Sequence, residues 1–170
     1  MKLLTFITVL ILNSGLLFPQ EKFNIPQVTT DQKIDILYDH VIAYAATGIS
    51  FAKSKGTSPE DYGKFIGEKF SAFWNPEDGF EMLVNRLMFI LAGMHPNNEM
   101  QIVNQDENSI TFKLKNVDFA FKEGPIFNVF YQDFLDCSKG IISVLAQHMN
   151  ATFEQNMTDD GWYFATLIKK

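Results

Sequence analysis

At 170 residues, with 20 acidic and 14 basic side chains, the chain carries a net charge of -6 and has an isoelectric point near 5.0. Its basic residues gather into nothing larger than pairs such as Lys169-Lys170, so the positive footprint that a phosphate backbone requires is missing and nucleic acid is excluded as a partner. One cysteine, Cys137, and three scattered histidines, His40, His95 and His148, supply no internal disulfide framework and no CxxC or HExxH metal motif.

Residues 1–20 begin Met-Lys, continue almost wholly apolar from Leu3 to Phe18, and close on Pro19-Gln20. A short positive start and a short apolar middle read as a secretory signal. The stretch is interrupted at Asn13, Ser14 and Gly15, short of the about 20 apolar residues that a membrane span needs. The protein is therefore expected to be secreted or periplasmic, without membrane association after cleavage. Residues 21–29 read as a linker, and 30–170 as a single domain large enough for one core.

Thr29 or Thr30, with Gln32 placed as in a capping box, opens a first helix running to about Ser54. It carries Ile34, Leu37, Val41, Tyr44, Gly48 and Phe51 at three- and four-residue spacing. Lys53, Lys55 and Gly56 suit its C-terminus. Ser58-Pro59-Glu60-Asp61 and Asn75-Pro76-Glu77-Asp78 are two more starts, each a cap followed by proline and acids. They predict helices over about 59–73 and 76–94. The third is apolar nearly all round, from Phe80 through Leu83, Leu87 and Phe89 to Met94, a pattern expected in the middle of a fold. His95-Pro96-Asn97-Asn98 ends it.

The period then changes from 3.6 to two. Ile102 and Val103 precede a polar turn at 106–109, and Ile110, Phe112 and Leu114 alternate with Thr111, Lys113 and Lys115, which predicts a half-buried hairpin strand. A Phe-rich connection leads to a long helix at about 126–149, with a stripe at Phe130, Phe134, Cys137, Ile141, Val144/Leu145 and His148. A second hairpin closes the chain: 152–156, a turn ending at Gly161, then 162–168. That last strand is apolar on both faces, which places it centrally. The order ααα-ββ-α-ββ makes an α+β fold, one antiparallel sheet of about four strands with helices packed on a face.

This order resembles the 4-vinyl-reductase-like domain, which shares its layout with haem-NO-binding and TRAPP-type subunits. The resemblance is clearest over 126–168, where a long helix passes through Cys137-Ser138-Lys139-Gly140 and a strand-Gly161-strand unit follows. The closing unit is also similar to L-2-amino-thiazoline-4-carboxylate hydrolase-type proteins. Where members of these groups often carry cysteines near the last strand, Trp162-Tyr163-Phe164 stands here. The resemblance implies a pocket between sheet and helices for a small apolar or acidic ligand, a candidate homodimer, and hydrolysis of a small cyclic or amide substrate as a second activity class.

The residues themselves offer few chemical groups. Arg86, the one arginine, sits in the most apolar helix. A guanidinium there needs a partner, either an internal acid, water at an edge, or the carboxylate of a ligand, which arginine grips with two parallel hydrogen bonds. Cys137 and His148 share a face of the long helix but lie about 16 Å apart along its axis, too far for a Cys–His nucleophile pair. Asp133, one turn before Cys137, would raise a thiol's pKa, and core packing is expected for that cysteine. His40 borders the first helix's stripe, and His148 suits the terminal carbonyls. Tyr44, Trp74, Trp162 and Tyr163 are aromatics with a polar edge that could line a pocket.

The connection 117–130 carries Phe119, Phe121, Phe127 and Phe130 around Lys122-Glu123-Gly124-Pro125. It is expected either as a lid hinged at Gly124 over the space beside the long helix or as packed core. Asn150-Ala151-Thr152 and Asn156-Met157-Thr158 match the N-glycosylation pattern. With 17 Phe and 7 Met, the domain needs a large core or one with a ligand-sized hollow. The leading expectation is an exported, non-catalytic small-molecule-binding domain with ligand-binding residues Arg86, Tyr44, Phe127, Cys137 and Trp162, no metal and no identified cofactor. Its ligand would be apolar or carboxylate-bearing. The alternatives are a hydrolase, built from Asp133, Cys137, His40 and Arg86 brought together, and a protein interaction module.

Overall fold

Residues alternating with period two after position 98 become one sheet. A computed structural model describes residues 27–93 and 98–170; the expected signal sequence, most of the linker and the helix end at 95–97 lie outside them. The chain divides into two compact units, Met1–Thr30 and Asp31–Lys170, and the second holds the fold described here. Strands β1 (Glu99–Gln105), β2 (Ser109–Lys115), β3 (Ala151–Met157) and β4 (Tyr163–Lys169) pair antiparallel in the order β1-β2-β4-β3. The last strand is central, as its two apolar faces imply. Phe112 lies opposite Ala165 and Leu114 opposite Tyr163, and these four are buried on the inner face with Ile110, Leu167, Ala151 and Phe153. The outer face is half-exposed and mixed: Phe164 and Ile168 stand beside Thr166, which hydrogen-bonds to Thr111 across it at 3.0 Å. Asp106 shapes the first hairpin, its Oδ1 accepting the N–H groups of Asn108 and Ser109 at 2.8 and 2.7 Å. Those bonds hold its carboxyl below the usual range.

Among the described residues, four α-helices accompany the sheet: α1 (Thr30–Ser54), α2 (Pro59–Ser71), α3 (Gly79–Ala92) and α4 (Tyr131–His148). Ser58 caps α2 by accepting the Asp61 N–H at 3.1 Å. The expected third start at Pro76 is a single 3-10 turn, Pro76–Asp78, and α3 begins at Gly79, whose φ is 76°. The long helix starts at Tyr131 rather than 126. Ile126 and Val129 exchange backbone hydrogen bonds of 3.0 and 2.9 Å around Phe127 and Asn128, both left-handed at φ 50° and 63°, a conformation that no α-helix contains.

Two faces lie opposite to their expected sides. On α1 the buried residues are Ile42, Ala46, Ile49 and Ala52, while Leu37, Val41, Tyr44 and Phe51 are exposed. Nor is α3 the central helix. It buries Leu83, Val84, Leu87 and Leu91 and leaves Ile90 and Phe89 outside, the latter 83% exposed. The helix buried on most sides is α4. Leu135, Ile142 and Ala146 join the sheet's cluster, and Cys137, with Phe134 and Ile141, joins a second cluster formed with Ala46, Ile49, Phe121 and Val129.

What allows α4 to be enclosed is contact with α2 at backbone distance. A Cβ on Gly63 would stand 2.0 Å from the carbonyl oxygen of Cys137, and one on Gly140 would stand 2.2 Å from that of Glu60. The salt bridge between Lys139 and Glu60, 3.3 Å, spans the same crossing, and Lys64 reaches Glu60 at 3.0 Å. Of the Phe-rich connection, Phe121 and Val129 are buried in the second cluster, while Phe119, Phe127 and Phe130 are exposed. It is therefore anchored in the core at two points and does not cover the cavity, whose wall it enters only at Val117. Lys53 fixes it further, donating to the Asn128 carbonyl at 3.0 Å and pairing with Asp133 at 2.5 Å.

Candidate functional site

One seam of α4, Tyr131, Leu135, Ser138, Ile142 and Leu145, repeats every three or four residues and therefore presents a single stripe. Opposite it, α3 presents Leu83, Leu87, Ile90 and Leu91. Between the two helices lies a cavity of about 310 Å³, at the lower end of the range of small-molecule sites, about 300–1,000 Å³. Phe134 and Ile141 of α4, Tyr163 of the central strand, Val117 after β2, Phe70 of α2 and Trp74 just beyond it complete its wall. Phe70 and Ile90 are half-exposed, at 50% and 51%, and mark its mouth. His148 holds the Trp74 segment in place through a 2.8 Å hydrogen bond from its Nε2 side to the Trp74 carbonyl.

The wall carries no charged group. Its polar atoms are hydroxyls and the indole edge. Tyr163 donates to Gln155 Oε1 at 3.0 Å, and Gln155 in turn donates to the Leu135 carbonyl at 3.1 Å. Tyr131 differs: its hydroxyl is buried and has no hydrogen-bond partner among the described residues. A buried hydroxyl left in that state costs about 1–3 kcal/mol. Burial, with the nearby Asp118 charge, raises both its pKa and its preference to remain a neutral donor.

The five residues expected to bind a ligand are not in this wall. Tyr44 is 77% exposed on α1, its ring 6.4 Å from that of His40. Phe127 tips the tight turn. Trp162 lies on the sheet's outer face under Lys113, whose Nζ is 4.2 Å from the ring centre. Cys137 is buried in the second cluster. Arg86 comes nearest. It has no acid partner among the described residues; its guanidinium stacks 5.0 Å over Trp74 and makes one long hydrogen bond, 3.4 Å, to the Phe73 carbonyl. It lines a shallow groove with Phe73, Asn85 and Phe89 that shares Trp74 and Ile90 with the cavity. The arginine therefore borders the mouth from outside. Of the aromatics named from sequence, Trp74 and Tyr163 do line the cavity.

The groups proposed for hydrolysis do not converge. None of Asp133, Cys137, His40 and Arg86 hydrogen-bonds another among the described residues, and Asp133 is engaged by Lys53 and by the Phe130 N–H at 2.9 Å. Burial pushes the Cys137 thiol up to about 11, so it is neutral at physiological pH and a poor nucleophile. Iodoacetamide at pH 7.5 is expected to leave Cys137 unmodified in folded protein and to label it fully in denaturant, read by intact mass. Because the folded pKa is raised, the thiol's contribution to stability is complete below the unfolded value of about 8.5 and is lost as pH rises towards about 11. Rapid labelling in native buffer would show that the site opens.

Among the described residues, no group of three His, Cys, Asp or Glu side chains is placed to hold a metal ion, and no helix is long and apolar enough to cross a membrane. No family model, curated protein or solved structure matches the chain.

Proposed function

We propose that this protein is an exported binding domain for a small, largely apolar molecule held between α3 and α4, without catalysis. The observation that carries the reading is the cavity of about 310 Å³ with an apolar, uncharged wall. Apolar surface removed from water supplies the affinity, at about 0.8 kcal/mol per buried methylene. The hydrolase reading has no such support, since its four candidate residues stand on separate contacts.

A neutral apolar fluorophore such as 1-aminoanthracene tests it. Binding is expected to be saturable, with a blue-shifted emission. Leu87→Trp, which fills the cavity from the α3 side, is expected to weaken it at least tenfold, and Leu145→Phe, a smaller filling from α4, to weaken it less. Equal binding by all three folded proteins would place the probe elsewhere and remove the reading.

A further inference from the structure

We infer that the ligand is a single-chain amphiphile with a carboxylate head, its alkyl tail in the cavity and its head on Arg86. This rests on the binding reading above and adds to it the ligand's shape and charge. The wall excludes charge along the whole depth of the cavity, so any ionised group must remain at the mouth. At that mouth stands one guanidinium with a single long hydrogen bond, to the Phe73 carbonyl at 3.4 Å, and no acid partner among the described residues. Most of its five N–H donors are open to a planar anion, and carboxylate geometry matches two of them at once. Trp74 joins the two parts physically: it lines the cavity, and the Arg86 guanidinium stacks on it at 5.0 Å.

The rim fits the same ligand. Phe73, Phe89 and Ile90 share the groove with the cation and are at least half exposed, Phe73 at 79% and Phe89 at 83%. Apolar side chains around one cation match the boundary of an amphiphile, where the chain's last methylenes meet its head. A sugar, a nucleotide or a polycarboxylate would find one cation, with Asn85 beside it, and no charged partner along the wall.

The test uses the full chain, stripped of bound lipid, as Trp162→Phe, so that Trp74 alone reports by fluorescence. It is titrated with decanoate, decan-1-ol and decyltrimethylammonium, all below micelle-forming concentration. Decanoate is expected to bind about tenfold more tightly than decan-1-ol, and the cation no more tightly than the alcohol. Arg86→Gln, at an exposed position, is expected to bring decanoate to the alcohol's affinity and leave the alcohol unchanged, while Arg86→Lys keeps part of the difference. Equal affinities for decanoate and decan-1-ol, or an unchanged decanoate affinity in Arg86→Gln, would overturn the inference while the apolar pocket stands. Failure of decan-1-ol itself to bind would remove the binding reading as well.

Discussion

Gly63→Ala is expected to be among the most damaging single changes, costing about 3–5 kcal/mol of folding stability, the upper end for overpacked sites. The new Cβ would lie 2.0 Å from the carbonyl oxygen of Cys137 and 2.8 Å from its carbon. Both are backbone atoms of α4, so no side chain can turn aside and the two helices must move apart. Gly140→Ala meets the same barrier from the other side, at 2.2 Å from the Glu60 oxygen and 2.8 Å from the Lys64 nitrogen. Intrinsic helix propensity argues for the opposite sign, since alanine is favoured over glycine by about 1 kcal/mol in a helix interior. Equilibrium denaturant unfolding separates the two effects. Glu68→Ala, exposed on α2, is the control, with a change within about 0.5 kcal/mol. A Gly63→Ala protein as stable as wild type would show that α2 and α4 do not touch at the backbone. Against a total stability of about 5–15 kcal/mol, the expected loss raises the unfolded population by a factor of about a hundred or more, and Cys137, at the crossing, would be alkylated correspondingly faster.

How α4 is used explains much of what the sequence disclosed and what it withheld. Element identities were legible because each rests on local chemistry: Ser58 and Pro59 at a helix start, alternation at 110–114, Gly161 at a turn where φ is 84°. The central place of the last strand followed from its two apolar faces. Which side of a helix meets which partner was not legible where apolar residues cover more than one side. Of the stripe at 130, 134, 137 and 141, Cys137 packs into the second cluster and Phe130 is exposed. Phe134 and Ile141 touch both that cluster and the cavity, while the seam one residue further on, 131, 135, 138, 142 and 145, faces the cavity. A shift of one residue turns the stripe by about 100°. Tyr131 and Ser138 were missed for that reason, although their seven-residue spacing was the available signal.

The same ambiguity reversed α1. Its more regular apolar stripe, at 37, 41, 44 and 51, is the exposed one, while the inward face uses Ala46 and Ala52 beside Ile42 and Ile49. Small residues let the helix lie close, yet they add little to a hydrophobic pattern. Arg86 was singled out for its rarity, and rarity located the mouth but not the wall. Nothing in the sequence records that Trp74, at the end of α2, connects the two; that depends on the His148 hydrogen bond across the domain.

Phenylalanine supplies a direct test of these assignments, because one chemical change can be made on both sides of the fold. Phe112→Ala is expected to cost about 3–5 kcal/mol, since the ring is fully buried at the sheet's centre, opposite Ala165 and in one cluster with Leu83, Leu114 and Leu167. Its removal leaves a ring-sized void that β2, paired on both edges, cannot close by moving inward. Phe89→Ala removes the same atoms from a side chain 83% exposed, so neither transfer free energy nor a cavity is lost, and the change is expected to lie within about 0.5 kcal/mol. From sequence alone the ranking is not available: Phe89 sits in the most continuous apolar run of the domain and Phe112 in an alternating one. Thermal or urea unfolding of the two variants decides it. Comparable losses in both would mean that the outer side of α3 is covered in the folded protein, and the rim proposed around Arg86 would then not be open to a ligand.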